Sequence, residues 1–481
     1  MKTQSIFIRI LEFLEEKVAY LEELLSKKDH SLSSKFERES KLISARHKGF
    51  SITGKKHLSV IQSRENLVIV SPSGGGKTSS VIFPSCFNIE SSMIINDPSG
   101  EISTTKNYFL SRGFKVKTLD FGNKESSIYY NPLKRISSHA DVMKVASMLV
   151  RATTKKDEMD FWNNKSVDLI GMFINFILEN EDPKHQNLAN VFYLLEILQG
   201  EPETIDRLFS EKASDTLFQK YKSLLGNSEN TRSSIISSAQ ASLSFIGNDP
   251  ILSDITSTDT FDFASLRKEK TVLFLRCPLG DMSYYSTILS IFFEQFFSYV
   301  FSSLPKDEDD DIFILMDELS SLYLPNLSNI ISNSRKFRTP ILGVLQSENQ
   351  LYQNYGEYNA KTILNNANTK VYFTGLTDES QHLEKTLGRY EYIDEKGATR
   401  TRALMTSDEI RTMPKDSILV IPSGMRPIKA KVTPHYKQKK LMKFLAMDAP
   451  IKSNDEDTEH NISHSVHYIN FNKQNNNHEE E

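Results

Sequence analysis

Residues 66–80 read NLVIVSPSGGGKTSS, and this stretch decides the fold. The apolar run at 67–70 predicts a buried strand, and the serines, proline and glycines after it predict a sharp loop. Lys77 and Thr78 then open a predicted helix. A strand, a glycine loop and a Lys-Thr pair form the P-loop pattern, which binds nucleotide phosphates. A chance glycine turn before a helix is the alternative, but here all three parts are in register.

The residue types of the loop fit phosphate binding. Backbone N–H groups can surround a phosphate only where no Cβ intrudes, which requires glycine. Lys77 is expected to reach the β/γ-phosphates of ATP, and the Thr78 hydroxyl is expected to ligate Mg²⁺. The predicted nucleotide-binding residues are Ser73, Gly74, Gly75, Gly76, Lys77, Thr78 and Ser79.

One position departs from the P-loop pattern G-x-x-x-x-G-K-[ST], because Ser71 stands where the first glycine is usual. Pro72 biases the residue before it toward an extended backbone, which a serine adopts without strain. We therefore expect the loop to form with Ser71 in place.

A second motif, at 312–318, reads IFILMDE. An apolar strand that ends in Asp-Glu is the Walker B pattern, and downstream of a P-loop it predicts nucleotide hydrolysis. We expect this strand to lie beside the P-loop strand, with Asp317 holding Mg²⁺ directly or through water. Glu318 is then the base that orients or deprotonates the attacking water.

Two more predicted strands end in polar residues. Asp97 follows the apolar stretch 92–96, at the edge where α/β folds bind ligands. It is expected to contact Mg²⁺ or its waters, and a helix N-cap is an equally good interpretation. Gln346 follows the strand predicted at 341–345 and is expected to sense the γ-phosphate or the lytic water. A plain strand-end hydrogen bond is the alternative for Gln346.

Composition narrows the class of protein. The chain has 481 residues, 38% hydrophobic and 25% charged, as in an ordinary globular protein. The net charge of −4 excludes a globally basic nucleic-acid binder, so any such contact needs a local patch or an assembled ring. Cys86 and Cys277 lack CxxC spacing and are predicted to be buried free thiols rather than zinc ligands. The sequence predicts no secretory signal and no transmembrane segment.

The predicted architecture is an α/β P-loop core that an all-helical unit interrupts, because helical periodicity without strand candidates begins near residue 140. Trp162 is expected in the core of that unit. The Ser, Asn and Gln-rich stretch 228–244 is expected to line a loop or a crevice. The predicted boundaries are 1–47 for an N-terminal amphipathic helix and basic linker, 48–139 and 263–446 for the core, 140–262 for the all-α insertion, and 447–481 for a disordered acidic, Asn-rich tail.

Several blocks together resemble the type IV secretion coupling proteins, the TraG/TraD-like ATPases of bacterial conjugation. The resemblance covers roughly 48–422, and the block that follows Walker B is the most specific. The blocks are SPSGGGKT (71–78), INDPSGE (95–101), YNPL (130–133), ILMDE (314–318) and SRKFRTPILGVLQSENQLYQNYG (334–356).

This resemblance implies a RecA-like core with an all-α domain, a homo-hexameric ring, and ATP-driven export of single-stranded DNA bound to a relaxase. Gln346 resembles the family's γ-phosphate sensor. Arg335 resembles the arginine that reaches into the neighbouring subunit's site. A head-to-tail ring places each ATP site at a subunit boundary, where an arginine supplied in trans stabilises the transition state. A surface salt bridge is the alternative for Arg335.

The implied partners are single-stranded DNA, relaxase or relaxosome proteins, and components of a type IV secretion channel. Most family members carry transmembrane helices before the core, and none is visible here. The interpretation is a cytoplasmic protein recruited peripherally to the inner face of the cell membrane. Two other functions stay open: an ATP-binding adaptor that presents protein substrates without acting as a motor, and a double-stranded DNA translocase with a related core.

Overall fold

The computed structural model describes residues 33–153, 161–277, 279–448 and 464–471. The predicted N-terminal amphipathic helix lies outside these residues. Within the described ranges, none of the helices has the length and apolar character needed to cross a membrane.

A nine-stranded sheet forms the centre of the molecule. The strands of the described chain are β1 (Leu67–Val70), β2 (Ser92–Asn96), β3 (Lys115–Asp120), β4 (Thr271–Arg276), β5 (Ile312–Met316), β6 (Ile341–Leu345), β7 (Thr369–Phe373), β8 (Arg389–Ile393), β9 (Thr399–Ala403), β10 (Ser417–Pro422) and β11 (Ile428–Lys431). The spatial order is β11-β10-β7-β1-β6-β5-β2-β4-β3. Strands β7 to β3 in that order run parallel, whereas β10 is antiparallel to both of its neighbours. Strands β8 and β9 pair separately as an antiparallel hairpin.

The central strands are apolar because both faces of the sheet are covered. Successive side chains point to opposite faces, so Val68 and Val70 of β1 join one core, and Leu67 and Ile69 join the other. Two hydrophobic cores therefore sandwich the sheet. The residues that follow the parallel strands therefore lie together at the carboxyl end of the sheet.

Helices cover both faces and build the insertion. They are α1 (Val60–Ser63), α2 (Phe83–Asn88), α3 (Lys106–Ser111), α4 (His139–Thr153), α5 (Phe161–Asn180), α6 (Leu188–Gly200), α7 (Pro202–Lys212), α8 (Asp215–Leu225), α9 (Glu229–Gly247), α10 (Pro250–Ile255), α11 (Ser265–Lys268), α12 (Met282–Phe301), α13 (Leu327–Asn333), α14 (Asn349–Asn366), α15 (Ser380–Leu387), α16 (Ser407–Arg411) and α17 (Lys439–Leu445). The run from α4 to α10 forms the helical unit, inserted between the adjacent strands β3 and β4.

The helical unit shares one core with a face of the sheet. Ile170 and Leu195 of the unit belong to the same apolar cluster as Val70 and Met316 of the sheet. Asn131, which is fully buried, ties the two ends of the insertion together: its Nδ2 donates to the carbonyl of Ser257 at 3.0 Å. The predicted α/β core with an all-helical insertion is what the structure shows.

Three details differ from the sequence predictions. The stretch 228–244 is the helix α9 rather than a loop or crevice lining, because Ile235, Ile236, Ala239, Leu243 and Ile246 place a buried stripe among its polar residues. Trp162 is 39% exposed and not in the core. Residues 464–471, inside the predicted disordered tail, pack against the helical unit. The predicted burial of the free thiols Cys86 and Cys277 is confirmed.

Candidate active site

The candidate site lies where the parallel strands β1, β6 and β5 end side by side. The prediction that the Walker B strand β5 lies beside the P-loop strand β1 is wrong, because β6 runs between them. Asp97 is one strand further from the P-loop strand, because β2 pairs with β5 and β4. The interposed β6 brings its own end residue, Gln346, between the two Walker motifs.

The P-loop closes without a glycine at its first position. The Ser71 amide donates to the carbonyl of Leu345 at 3.0 Å, so Ser71 continues the sheet ladder as an extended residue. The Gly75 amide then donates to the carbonyl of Pro72 at 3.0 Å and closes the turn. A Cβ on Gly75 would lie 2.3 Å from Ser71 Oγ, so the serine and this glycine are fitted to each other.

Two other loop glycines have positive φ values, +74° for Gly74 and +87° for Gly76. Other residue types rarely adopt this left-handed region. No heavy atom lies within 4 Å of the position of a Gly74 Cβ, so this glycine faces open space. The glycines thus form a cradle of exposed backbone, as phosphate binding requires.

The helix after the loop begins with a π-helical turn, Thr78–Ile82, and continues as α2. Pro84 has no amide hydrogen and therefore breaks the α-helical ladder. The preceding amide, of Phe83, donates instead to the carbonyl of Thr78, five residues back. Single π turns are frequent at functional sites. This turn sets Thr78 at the top of the sheet.

Thr78 reaches across β6 to the Walker B carboxylate. Its Oγ1 lies 3.0 Å from both Oδ1 and Oδ2 of Asp317. Burial raises the pKa of Asp317 to about 6, and the nearby Asp97 and Glu318 carboxylates act in the same direction, whereas Thr78 and Lys77 oppose the rise. A hydroxyl beside a buried carboxylate is an oxygen donor set that Mg²⁺ prefers. Thr78 and Asp317 therefore fit a magnesium site.

Glu318 is held from three sides. Lys77 Nζ lies 3.7 Å from its Oε2, and Gln346 Nε2 donates to the same oxygen at 3.1 Å. The Ser320 hydroxyl donates to Oε1. The structure thus brings three predicted site residues together around one carboxylate: Lys77 and Gln346 both contact Glu318.

The Asp97 carboxylate accepts hydrogen bonds from the residues that follow it in the chain. Its Oδ2 accepts from the Ser103 amide at 2.7 Å, and its Oδ1 accepts from the Ser99 hydroxyl at 3.3 Å. Burial raises the pKa of Asp97, against the lowering effect of hydrogen bonds from the Ser103 and Ile102 amides and the Ser99 hydroxyl, and of the charge of Arg276. The Asp97 carboxylate thus contacts the first turn of the short helix Ile102–Thr105, although the N-cap residue of that helix is Glu101. A contact of Asp97 with Mg²⁺ or its waters stays a prediction.

Arg335 does not join the site of its own chain. It follows α13 and lies at the start of β6, the opposite edge of the sheet. Its Nη1 pairs with Oε1 of Glu65 at 2.9 Å, just before β1 begins. The Arg335 side chain is 64% exposed, so it remains reachable from outside the molecule.

Sequence reasoning missed the support that helix α14 provides. Gln350 Oε1 accepts from the Gln346 amide at 2.9 Å, and Asn354 Nδ2 donates to the carbonyl of Ser320 at 3.0 Å. One helix thus supports two of the three partners of Glu318, Gln346 and Ser320. Both Gln350 and Asn354 lie in the block 334–356, the most specific of the blocks that resemble the coupling proteins.

A largely parallel sheet, with a glycine loop and Lys-Thr after one strand and Asp-Glu after another, defines a P-loop protein with a RecA-like core. The family model described as Type IV secretory system Conjugative DNA transfer matches residues 23–459, and the chain belongs to this family. The resemblance drawn from the sequence is therefore confirmed.

Curated relatives are distant. Protein VirD4 of Rhizobium radiobacter is 22% identical over 448 residues, which are 84% of this chain and 63% of the relative. The conjugal transfer protein TraG of the same species is 22% identical over 398 residues, 75% of this chain and 60% of the relative. The chain thus spans less than two thirds of the length of these relatives.

Solved structures share the fold. The bacterial conjugative coupling protein TrwBdeltaN70, in its trigonal form with sulphate, aligns with a TM-score of 0.66 at 17% identity, over 83% of this chain and 94% of that chain. TrwB in complex with ADP and Mg²⁺ gives 0.65 at 17% identity, over 84% and 94%. This likeness confirms the predicted RecA-like core with an all-α domain.

Proposed function

We propose that the chain is an ATP-hydrolysing coupling protein that recruits relaxase-bound single-stranded DNA to a type IV secretion channel and drives its transfer. The observation that carries the proposal is the 3.0 Å contact of Thr78 with both oxygens of Asp317. It joins the Walker A and Walker B motifs across an intervening strand. Membership of the conjugative DNA transfer family supports the substrate.

ATP and Mg²⁺ are the proposed ligands, as supported by the structures of TrwB with ADP and Mg²⁺. Residues 73–79 bind the phosphates, and Thr78 with Asp317 holds the metal. When bound, Mg²⁺ neutralises charge on the phosphates. Lys77 leaves Glu318 and binds the β/γ-phosphates, because the triphosphate carries more negative charge than a single carboxylate.

Glu318, once released by Lys77, orients and deprotonates the attacking water. Gln346 already donates to the Glu318 carboxylate at 3.1 Å, so its amide lies where it can position that water or contact the γ-phosphate. Ser320 keeps the other carboxylate oxygen engaged and fixes the rotamer of Glu318. These three residues supply positioning and proton transfer.

Arg335 completes the site of a neighbouring subunit in a hexameric ring. Its place at the opposite end of the sheet from the P-loop of its own chain supports a role in trans. Its exposure leaves it free to leave Glu65 and reach outward. Single-stranded DNA then passes through the ring, held by basic and aromatic groups in a salt-dependent manner.

The test is ATP turnover by the full chain with and without single-stranded DNA. We expect DNA-stimulated turnover that Lys77→Ala abolishes and that Lys55→Ala, at an exposed position outside the site, leaves unchanged. Equal turnover by Lys77→Ala would refute the enzyme. Nucleotide binding with turnover at background would instead support the adaptor that presents protein substrates.

A further inference from the structure

Residues 464–471, HSVHYINF, lie in a groove of the helical unit without forming a helix or strand. One side-chain amide holds the middle of this segment. Asn190 Oδ1 accepts from the Ile469 amide at 3.0 Å, and Asn190 Nδ2 donates to the His467 carbonyl at 2.9 Å. Asn190 lies in the first turn of α6 and is fully buried. The groove therefore presents an interior polar group to the segment.

Two more side chains of the groove bind the backbone of the same segment. The Val466 amide donates to Asp254 Oδ1 at 3.0 Å, and the His464 amide donates to the Tyr129 hydroxyl at 3.2 Å. The second oxygen of Asp254 accepts from Lys124 at 2.7 Å, which keeps this carboxylate in place. Backbone groups at four positions between residues 464 and 469 are thus bound by groove side chains.

Side chains of the segment also contact the groove. Ile469 is 6% exposed and joins the large hydrophobic core, and Phe471 packs against that core. The ring of Tyr193 lies 5.4 Å from Tyr468 and 6.0 Å from Phe471, measured between centroids. The groove therefore selects one aliphatic residue and an aromatic residue two positions later.

Hydrogen bonds to a peptide backbone are available to any segment that adopts the same path. Main-chain bonds for affinity and pockets for alternate side chains for specificity are how proteins recognise extended peptides. A segment on the same chain acts at an effective concentration in the millimolar range, so modest intrinsic affinity is enough to fill the groove. A partner segment therefore fills the groove only if it binds strongly enough to displace residues 464–471.

We propose that this groove, formed by Tyr129, Asn190, Tyr193 and Asp254, is a peptide-docking site. Its ligand is an extended segment of a partner protein with an aliphatic residue followed two positions later by an aromatic one. Residues 464–471 compete for the site in cis. The proposal does not depend on ATP hydrolysis.

The probe is the octapeptide HSVHYINF carrying fluorescein, and the readout is its anisotropy with the full chain. Ile469→Asp places a charge in the buried position and releases the chain's own segment. We expect the peptide to bind this variant at least tenfold more tightly than the unsubstituted chain. Ser465→Asp, which adds the same charge at an exposed position of the segment, is expected to behave as the unsubstituted chain.

A second substitution tests the groove itself. Tyr193→Ala, added to Ile469→Asp, is expected to weaken peptide binding at least tenfold, and Gln199→Ala, at an exposed position of the same helix, to leave it unchanged. If Ile469→Asp lowers the melting temperature, Phe471→Asp replaces it. This change lies at a half-buried position, and it is also expected to release the segment and strengthen peptide binding relative to the unsubstituted chain. A folded Ile469→Asp chain that fails to bind the peptide, or that binds it no more tightly than the unsubstituted chain, would overturn the proposal.

Discussion

The strand β5 has an aspartate at each end, and the two carboxylates have opposite environments. Asp311, before the strand, is 3% exposed and is bound by two arginines. Arg64 holds it through Nε at 2.8 Å and Nη2 at 3.0 Å, and Arg338 holds it at 2.8 Å. Asp317, after the strand, accepts a threonine hydroxyl, and its pKa is raised to about 6. The ion pairs of Asp311 stabilise the fold at one end of the sheet, whereas Asp317, at the other end, has no arginine partner among its described contacts and fits a metal site.

This comparison explains the position of Arg335. The edge with Asp311 is already saturated with arginine contacts, and Arg335 stays at its surface, paired with Glu65. An exposed ion pair contributes little to stability, roughly 0–1 kcal/mol. We therefore expect Arg335 to contribute little to the stability of its own chain, which agrees with its proposed role in the site of a neighbouring subunit.

The largest expected effect concerns that arginine. Arg335→Ala is expected to lower ATP turnover about a thousandfold, in the range for arginines supplied in trans, because transition-state charge loses its partner. The midpoint of denaturant unfolding should stay near that of the unsubstituted chain. Lys336→Ala, at the neighbouring exposed position, is the control for turnover. A loss of stability comparable with the loss of turnover would favour the salt-bridge interpretation.

Glu318→Gln tests the carboxylate beside the metal site. Without a base to activate water, turnover is expected to fall about 10²–10³-fold, while ATP binding persists because the P-loop is intact. Glu308→Gln, at an exposed position shortly before β5, is the matched control. Steady-state turnover and binding of a fluorescent ATP analogue measure the two quantities. Retained turnover would remove Glu318 from the mechanism.

Asp311→Ala tests the saturated end. It leaves Arg64 and Arg338 without their carboxylate, and the free energy of unfolding is expected to fall by about 2–3 kcal/mol. This figure is below that for fully buried pairs because the two arginines are 28% and 24% exposed. Denaturant unfolding measures it, with Asp307→Ala at an exposed position as the control. A change as small as that of the control would contradict the contrast between the two ends.

Asp317→Asn gives the smallest effect, and its sign depends on pH. The pKa of Asp317 in the fold, about 6, exceeds its ordinary value of 3.8, so ionisation between these values destabilises the folded chain. Above pH 6 the asparagine variant, without bound nucleotide, is expected to be more stable by on the order of 2 kcal/mol. Below pH 4 the difference should vanish. Thermal unfolding from pH 4 to 7.5 measures it, and a wild-type advantage at pH 7.5 would be the wrong sign.

The same asparagine variant should lose the stabilisation that ATP and Mg²⁺ give to the unsubstituted chain. The two measurements together distinguish a metal-binding carboxylate from one that is only buried. Asp311→Ala provides the contrast, since it lowers stability while leaving the response to ATP and Mg²⁺ in place.

The sequence predicted the residues at the functional edge because short motifs fix their own local geometry. Ser71, the loop glycines and Lys77 follow one strand, and the Asp-Glu pair follows another. Strand order was not predictable in this way. Nothing in the motifs indicates that β6 runs between β1 and β5, and this order is what brings Gln346 to Glu318.

The other differences have separate physical causes. The helix α9 was missed because serines and glutamine share its surface with a regular apolar stripe. The sequence analysis does not predict the hairpin of β8 and β9, whose strands are short, largely exposed and rich in charged residues. Binding of residues 464–471 depends on Asn190, far away in sequence, and composition alone predicted disorder there.

The most direct test of a site completed by a neighbour mixes two inactive full-length chains, Lys77→Ala and Arg335→Ala, with single-stranded DNA. In a mixed ring, about a quarter of the sites join an intact P-loop to an intact arginine of the next subunit. ATP turnover is therefore predicted to reappear in the mixture. Turnover that stays at background, while mass measurement shows mixed rings, would contradict the account.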